Sequence, residues 1–559
     1  MKDYYLGLST SGHDPALALV NGSGELVFAE ATERYVQQKR AWGIPPDHPD
    51  HIRSLGQFID EKSAIQLSRT WSRSKGIPGE EAGQNAFHST SEIEWMYRLQ
   101  TRTFEDAGIH VGQYQQKETG EIYDFDHHLC HAVNACYSAP VSSGLCLVID
   151  GEGDVGSASL YHLKDRALKR IWRSWGPGSL GTYYSWLTGL CDFDWRIGEA
   201  WKVMGLAAFG QPREEIVDLL KKSIHIQSGK PYPPKEVALS EIKKSAEQFM
   251  RLPGEDIMKA ADLAASGQAV YALWLDEILT HCGKYEEENL ILSGGCALNS
   301  SYNGTIKSRF GFTNVFVPAA PADDGNAAGS ALLSWMKDAD TSQIPMGNMS
   351  PYLGTDVNGP GSDRKLKSVE NFGGFSSVSD LGERSAAQIA RKLSEGKIIG
   401  VMRGRAEFGP RALGNRSILA DPRSPGMKDM INKKVKGREG YRPFAPVVPE
   451  ARVSDFFDQA QPSPYMSFTL PWKTDMISQV PAVVHQDGTG RLQTVNETLN
   501  PWMHALLTEF EKVSRAPVIL NTSFNVMGKP IVHSVEDAMA VLVTTGLDAV
   551  LIDNVLIEK

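Results

Sequence analysis

The stretch Asp126-His127-His128-Leu129-Cys130-His131-Ala132 carries the first chemistry that can be read from this chain. On a helix, His127 and His131 stand four residues apart, which stacks their imidazoles on one face at a separation that lets both ligate one metal ion. Asp126 reads as the N-cap of that helix, and Ala132, Ala135 and Ala139 on the opposite face let it approach a sheet closely. Two histidines at this spacing are not a metal site by themselves, so carboxylates must join them. Asp150 ends the apolar run Leu145–Asp150, and the loop after the predicted strand Asn314–Val317 carries the adjacent pair Asp323 and Asp324. Asp323 as a third ligand and Asp150 as a fourth leave open positions on a metal that takes nitrogen and oxygen donors; Fe(II), Mn(II) and Zn(II) all qualify.

Glycines and basic residues form a second set. The predicted strand Asn289–Ser293 runs into Gly294-Gly295-Cys296-Ala297-Leu298-Asn299, where missing side chains let backbone approach a ligand and a following helix offers free N–H groups, as an adenosine or phosphate contact requires. Lys202, in a glycine-flanked segment, has the reach to meet a phosphate. Farther on, Arg403, Arg405, Arg411, Arg416 and Arg423 fall in one loop-rich stretch interrupted by Gly and Pro, and 432–446 adds more Lys and Arg. Two such runs read as a cradle for an anion, because guanidinium forks match phosphate and carboxylate oxygens bidentately. Asn521-Thr522-Ser523-Phe524-Asn525 follows the apolar run Val518-Ile519-Leu520, and polar residues at a strand end are where α/β folds place ligand contacts.

The elements that must position these residues repeat. Tyr4–Thr10, Ala16–Val20 and Leu26–Glu30 read as three strands, separated by Ser9-Thr10-Ser11-Gly12-His13-Asp14 and the hairpin turn Asn21-Gly22-Ser23-Gly24. About 140 residues later the layout returns as Leu145–Asp150, the turn Gly151-Glu152-Gly153-Asp154, Ala158–Leu163 and Leu168–Trp172. Used twice, this order signals the duplicated actin-like (ASKHA) ATPase architecture, in which the two turns face each other across a nucleotide cleft. Residues 71–116 read either as a helical insertion near the substrate mouth or as surface structure. Ser, Asp, Gly, Pro and Asn dominate residues 337–375, so we expect a first domain over 1–345, a linker over 346–375 and a fresh α/β domain over 376–559.

A chain of 559 residues is too long for one core, and 41% hydrophobic with 22% charged residues describes a globular protein. The net charge of −10 argues against nucleic acid as a partner. Six cysteines without CxxC spacing read as reduced thiols of a cytoplasmic protein. No signal-peptide pattern and no run of 18 apolar residues is seen, so no membrane contact is expected.

The motifs DHHLCHA, VIDGEGD, KVMGLAAFG, LSGGCALN, EFGPRALGNRSILADPR, KVKGREGYRPFAPVV and NTSFNVMGKPIV, spread over nearly the whole chain, resemble the NodU/CmcH family of O-carbamoyltransferases. That family joins an actin-like domain, similar to the tRNA threonylcarbamoyl transferases of the TsaD type, to a YrdC-like α/β C-terminal domain. The resemblance implies a two-step reaction. ATP with Mg2+ and carbamoyl phosphate give carbamoyladenylate in the C-terminal domain, where Arg411, Lys436, Arg442, Arg491 and Asn521 match the family's phosphate and nucleotide contacts. The carbamoyl group then passes to a hydroxyl of a small-molecule natural product, such as an antibiotic precursor, in the N-terminal domain. There His127, His131, Asp150 and Asp323 hold an iron-type ion, Fe(II) or another divalent metal. Lys39, Glu152, Gly153, Gly181, Lys202, Gly294, Gly295 and Asn299 fall at the family's binding positions, and His13 matches its first-loop base. Asp324 stays open as the alternative to Asp323, a homodimer is compatible with the family, and the acceptor is not named. The competing readings are a sugar-kinase-like ATPase on the same core and a noncatalytic nucleotide-binding assembly subunit.

Overall fold

The strand β1 (Tyr4–Leu8) is apolar on both faces and almost wholly buried, which places it at the centre of a sheet. The computed structural model describes residues 1–72, 86–116, 120–359 and 375–559. On one side of β1 run β2 (Ala16–Asn21) and β3 (Leu26–Ala31), each antiparallel to its neighbour; on the other run β4 (Ile65–Thr70) and β5 (Tyr123–Phe125), both parallel. The hairpin between β2 and β3 is closed by Asn21, whose Oδ1 accepts from the Ser23 and Glu25 amides, with Gly24 at φ +85°.

The second sheet copies the first. Its centre is β6 (Gly144–Ile149), flanked on one side by antiparallel β7 (Ala158–Lys164) and β8 (Ala167–Arg173). After a separate hairpin of β9 (His225–Gln227) and β10 (Lys230–Tyr232), parallel β11 (Asn289–Ser293) and β12 (Asn314–Phe316) complete the other side. The orders β3-β2-β1-β4-β5 and β8-β7-β6-β11-β12 are the same, direction for direction. The first half is therefore the duplicated actin-like architecture expected from the repeated layout.

Two helices lie against these sheets with unusually little clearance. The helix Asn326–Asp338 packs on β1 where a Cβ at Gly7 would come within 2.0 Å of the Ala327 carbonyl. It meets the helix His127–Ser138 where a Cβ at Gly329 would come equally close, 2.0 Å, to the Cys130 carbonyl. Of the 71–116 stretch, residues 73–85 lie outside the described residues. The rest contains the helices Thr90–Asp106, started by a Ser89/Glu92 capping box, and Ile109–Tyr114.

The chain divides into two compact units, Met1–Asn299 with Thr305–Met349 and Ser300–Gly304 with Ser350–Lys559. The second is α/β. Its nine-stranded mixed sheet runs in the order Ser377–Asp380, Val555–Glu558, Ala549–Ile552, Ile399–Met402, Arg416–Ala420, Ile519–Ser523, Ala445–Pro449, Thr489–Val495, Phe468–Pro471. The helices Ser385–Ser394 and Pro501–Ser514 bury Ile389, Leu393, Leu506 and Phe510 against it. Within the stretch read as linker, Tyr352–Asp356 is a strand paired antiparallel with Arg405–Glu407, and 360–374 lie outside the described residues. All six cysteines are free thiols. Among the described residues, no helix is long and apolar enough to cross a membrane.

Candidate functional site

The helix His127–Ser138 starts where its first turn is tied down from two sides. Asp126 caps it by accepting from the Leu129 amide, and Asp154, in the turn after β6, accepts from the His127 amide at 2.8 Å. This presents His127 and His131 to the end of β6, where Asp150 sits, and to the short turn Asp323–Gly325. The ligating atoms of His127, His131, Asp150 and Asp323 lie within 4.8 Å of one another, and all four residues are buried. The two Nε2 atoms face each other at 3.2 Å, and the Asp150 carboxylate is 3.1 Å from His127 and 3.4 Å from His131. Asp323 stands 3.6 and 3.4 Å from the same nitrogens. Burial alone would push the His127 imidazole down, but the Asp323 charge and hydrogen bonds to Asp150 and Asp323 push it up to about 10. Burial and the Asp323 charge raise Asp150, and the hydrogen bonds to His127 and His131 override them to hold it well below the usual carboxylate range. Against burial, His127 and His13 hold Asp323 low as well. Two ionised carboxylates and two facing imidazole nitrogens thus converge on a point that favours positive charge. This N and O donor set fits a divalent transition metal.

Asp324, the sequence alternative, is not in this group; it accepts from the Gly325 amide, and burial pushes its carboxyl up to about 7. His128 turns away to Ser159, 2.9 Å from Nδ1, and burial pushes it down to about 3.

His13 lies at the edge of the cluster, 3.7 Å from Asp323. Its Nδ1 is 2.9 Å from Asp14 Oδ2 and 2.8 Å from the Arg40 guanidinium, which itself grips Asp14 at 2.9 and 3.1 Å. Arg40 was not singled out from the sequence. Its neighbour Lys39 shares the turn Lys39–Ala41, but it is Arg40 whose guanidinium reaches His13, from a backbone with φ +60°. An aromatic wall stands beside His13. Trp42 lies edge-on to it at 4.7 Å, Trp95 packs on Trp42 at the same distance, and Trp95 is 37% exposed.

None of the remaining first-unit candidates is among the four clustered residues. Gly295 donates its amide to Asp150 Oδ1 at 2.9 Å, and Ser179 Oγ donates to the Asp150 carbonyl. A Cβ at Gly181 would meet the Gly151 amide at 2.7 Å, and one at Gly153 would meet His128 Nε2 at 2.6 Å. Glu152 accepts from the Tyr97 hydroxyl, Lys202 pairs with Glu199 at 2.5 Å, and Asn299 exchanges amide hydrogen bonds with Gln268. Gly294 holds φ +85° and ψ 166°, a region nearly closed to other residues, and its Cβ would lie 2.2 Å from the Ile149 carbonyl. Gly294→Ala is expected to cost about 2 kcal/mol or more of stability and to loosen the Gly295 grip on Asp150. A lower denaturant midpoint together with weaker divalent-metal binding would show it.

In the second unit, Glu407 folds the loop around itself, its Oε1 accepting from the Leu413, Asn415 and Arg416 amides. Four of the five arginines expected to form one cradle are structural. Arg403 donates to Asn554 and the Asp553 carbonyl, Arg405 to the Leu353 and Gly354 carbonyls, and Arg423 to Asp421. Arg416, fully buried, donates to the carbonyls of Arg403, Asn415, Thr355 and Gly404. Arg416→Met is therefore expected to strand four part-buried carbonyls and destabilise this unit by about 3 kcal/mol or more, whereas Arg411→Met should leave the melting temperature near wild type.

Arg411 belongs to a different group. Burial pushes it down to about 10, and its charge, with those of Arg438 and Arg442, adds to burial in lowering Arg491. Arg491 Nε is buried with no hydrogen-bond partner among the described residues. Guanidinium groups gathered in this way have the donors to hold an anion, although Arg442 is also paired with Glu439 at 3.3 Å. Arg438 is the member of the group that the sequence reading did not name. Asn521 braces the group by donating to the Ala412 carbonyl and to Gln493, and Lys436 Nζ is held by Asn525 Oδ1 at 2.7 Å and the Ser523 carbonyl.

Comparison with known proteins bears on both units. The family model Carbamoyltransferase N-terminus matches residues 4–332, and Carbamoyltransferase C-terminus matches 390–559. Nodulation protein NolNO of Sinorhizobium fredii is 35% identical, over 99% of this chain and 80% of its own length. Nodulation protein U of the same organism is 31% identical over 92% and 93%. An uncharacterized protein of Synechocystis sp. is 31% identical over 100% and 97%. A solved structure, full-length HypF in its phosphate- and nucleotide-bound form, aligns with a TM-score of 0.36 and 10% identity over 60% of this chain and 56% of that one. With both family models matched in order and relatives aligned end to end, the chain belongs to the carbamoyltransferase family and is a carbamoyltransferase.

Proposed function

We propose that this enzyme is an ATP-dependent O-carbamoyltransferase that moves the carbamoyl group of carbamoyl phosphate, through carbamoyladenylate, to a hydroxyl of a small-molecule acceptor. The observation that carries the proposal is that one carbamoyltransferase chain holds two unlike groups of side chains: four guanidinium groups that exceed the carboxylate paired with them, Glu439 on Arg442, and a buried His/Asp cluster with His13 at its edge. The first suits substrates that arrive as phosphates. Carbamoyl phosphate and water give carbamate and phosphate there; a carbamate oxygen attacks the α-phosphorus of ATP, and pyrophosphate leaves. Arg411, Arg438, Arg442 and Arg491 supply fixed positive charge to those oxygens, which is what such a step needs.

The carbamoyladenylate is consumed in the first unit. A divalent ion on His127, His131, Asp150 and Asp323 supplies Lewis-acid charge at the reacting carbamoyl group when bound. The Asp14 carboxylate resists the upward push of burial because the Arg40 and His13 charges hold it low. Asp14, which can only accept, and the Arg40 guanidinium, which can only donate, both reach His13 Nδ1; in the tautomer that donates Nδ1–H to Asp14, Nε2 is left to take the proton of the acceptor's hydroxyl. The hydroxyl oxygen bonds to the carbamoyl carbon and AMP leaves. The aromatic wall of Trp42 and Trp95 is suited to hold the apolar face of the acceptor beside His13.

The test needs no acceptor for its first half. The whole enzyme with ATP, Mg2+ and carbamoyl phosphate should exchange labelled pyrophosphate into ATP, and should not do so when carbamoyl phosphate is withheld. An acceptor screen by mass spectrometry should then find products heavier by one carbamoyl group. Products heavier by a phosphate would favour the kinase reading, and an enzyme without carbamoyl-phosphate-dependent exchange would rule out the adenylate.

A further inference from the structure

Asn326 is the first residue of the helix Asn326–Asp338 and follows directly on the turn that carries Asp323. The two close approaches at Gly7 and Gly329 fix this helix against β1 and the histidine helix, so the position of its first residue is set by backbone packing. Its side chain is completely buried. The amide nitrogen lies 3.3 Å from His127 Nδ1 and 3.4 Å from His127 Nε2, the atom that also faces Asp150 and His131. The amide oxygen is buried with no hydrogen-bond partner among the described residues.

A buried carbonyl oxygen without a partner costs about 1–3 kcal/mol, and a folded protein keeps such a group only where something else meets it. Here the orphan oxygen belongs to a side chain already against the donor atoms of the cluster. A half-turn of the amide about χ2 exchanges oxygen for nitrogen with no change of shape, and among the described residues no hydrogen bond other than that to His127 holds the nitrogen where it is. With a cation at the cluster, the lone pair of His127 Nε2 is committed and the local charge is positive. An amide N–H is then repelled, and an amide oxygen is attracted.

We propose that Asn326 is a donor residue of the metal centre, turning its amide oxygen to the cation and adding a neutral oxygen to the two imidazoles and two carboxylates. The inference rests on the metal reading of the cluster. Two nitrogens and three oxygens make a harder donor set than a structural zinc site, in keeping with Fe(II) or Mn(II).

The test uses Mn(II) alone on the whole, metal-stripped enzyme. Equilibrium dialysis should show one Mn(II) per chain for wild type, an affinity lowered at least about 10-fold for Asn326→Leu and Asn326→Ala, and an affinity at or above wild type for Asn326→Asp. Leu and Ala variants that bind within twofold of wild type would overturn the proposal while leaving the metal reading intact, provided His131→Ala loses the ion. A wild type that binds no better than His131→Ala would overturn both. A second measurement reads the wild type itself: with 13C-labelled asparagine, electron–nuclear double resonance of the bound Mn(II) should show a 13C coupling through a coordinated amide oxygen. Its absence from wild type would likewise overturn the assignment.

Discussion

His131→Ala is expected to lower carbamoyl transfer at least about 10³-fold, a barrier increase of roughly 4 kcal/mol, and to abolish stoichiometric divalent-metal binding. The reason is electrostatic as much as geometric. His131 Nε2 sits 3.4 Å from both Asp150 and Asp323, and those carboxylates stay ionised in a buried site only because imidazoles or a cation oppose them. Removing one imidazole takes away a donor and leaves the pair under-compensated, so the surviving group should take up a proton in place of the metal. The second unit contains none of these residues, so carbamoyl-phosphate-dependent ATP–pyrophosphate exchange should stay within about twofold of wild type. Metal analysis, exchange and transfer measured on one preparation decide the matter. Transfer that survives loss of the ion would remove the metal from the chemistry, and exchange that falls with it would contradict a division of labour between the units.

How far this site was legible follows from the range of the interactions that build it. The pairing of His127 with His131 needs only the helical period, and Asp126 and the alanines announce that helix locally. The doubled strand order is likewise written in local turns and apolar runs. The choice between Asp323 and Asp324 was not, because a turn of three residues aims one carboxylate at the cluster and folds the other back on the Gly325 amide. Arg40 and Asn326 were invisible for a related reason. The first reaches His13 through a left-handed backbone conformation at a non-glycine residue, and the second through the register of a helix against β1, neither of which leaves a periodic signal. In the second unit the run of arginines was correctly seen as more than a solvated face, but the partners of Arg403, Arg405 and Arg416 are carbonyls supplied by strands distant in sequence. One of these strands, Tyr352–Asp356, is disguised by a linker-like composition.

Arg491→Met separates the roles of the guanidinium groups most sharply, because its effects on stability and on chemistry are expected to have opposite signs. The Arg491 guanidinium lies among the like charges of Arg411, Arg438 and Arg442, and its burial together with their repulsion depresses it. In the absence of an anion this crowding works against folding, so replacing it with an apolar side chain of similar length should leave the melting temperature unchanged or raise it. The same replacement removes the donor whose Nε is buried without a partner among the described residues, and with it charge stabilisation that only the phosphate-bearing substrates call upon. Carbamoyl-phosphate-dependent pyrophosphate exchange should fall at least about 10³-fold, an effect of roughly 4 kcal/mol. Carbamoyladenylate supplied from outside should still be transferred to an acceptor, since His13 and the metal cluster are untouched. Inorganic phosphate or carbamoyl phosphate should raise the melting temperature of the wild type and fail to raise that of the variant. A variant that melts several degrees lower, with exchange reduced only in proportion to the folded fraction, would make Arg491 a structural residue like Arg416 and move the anion site elsewhere.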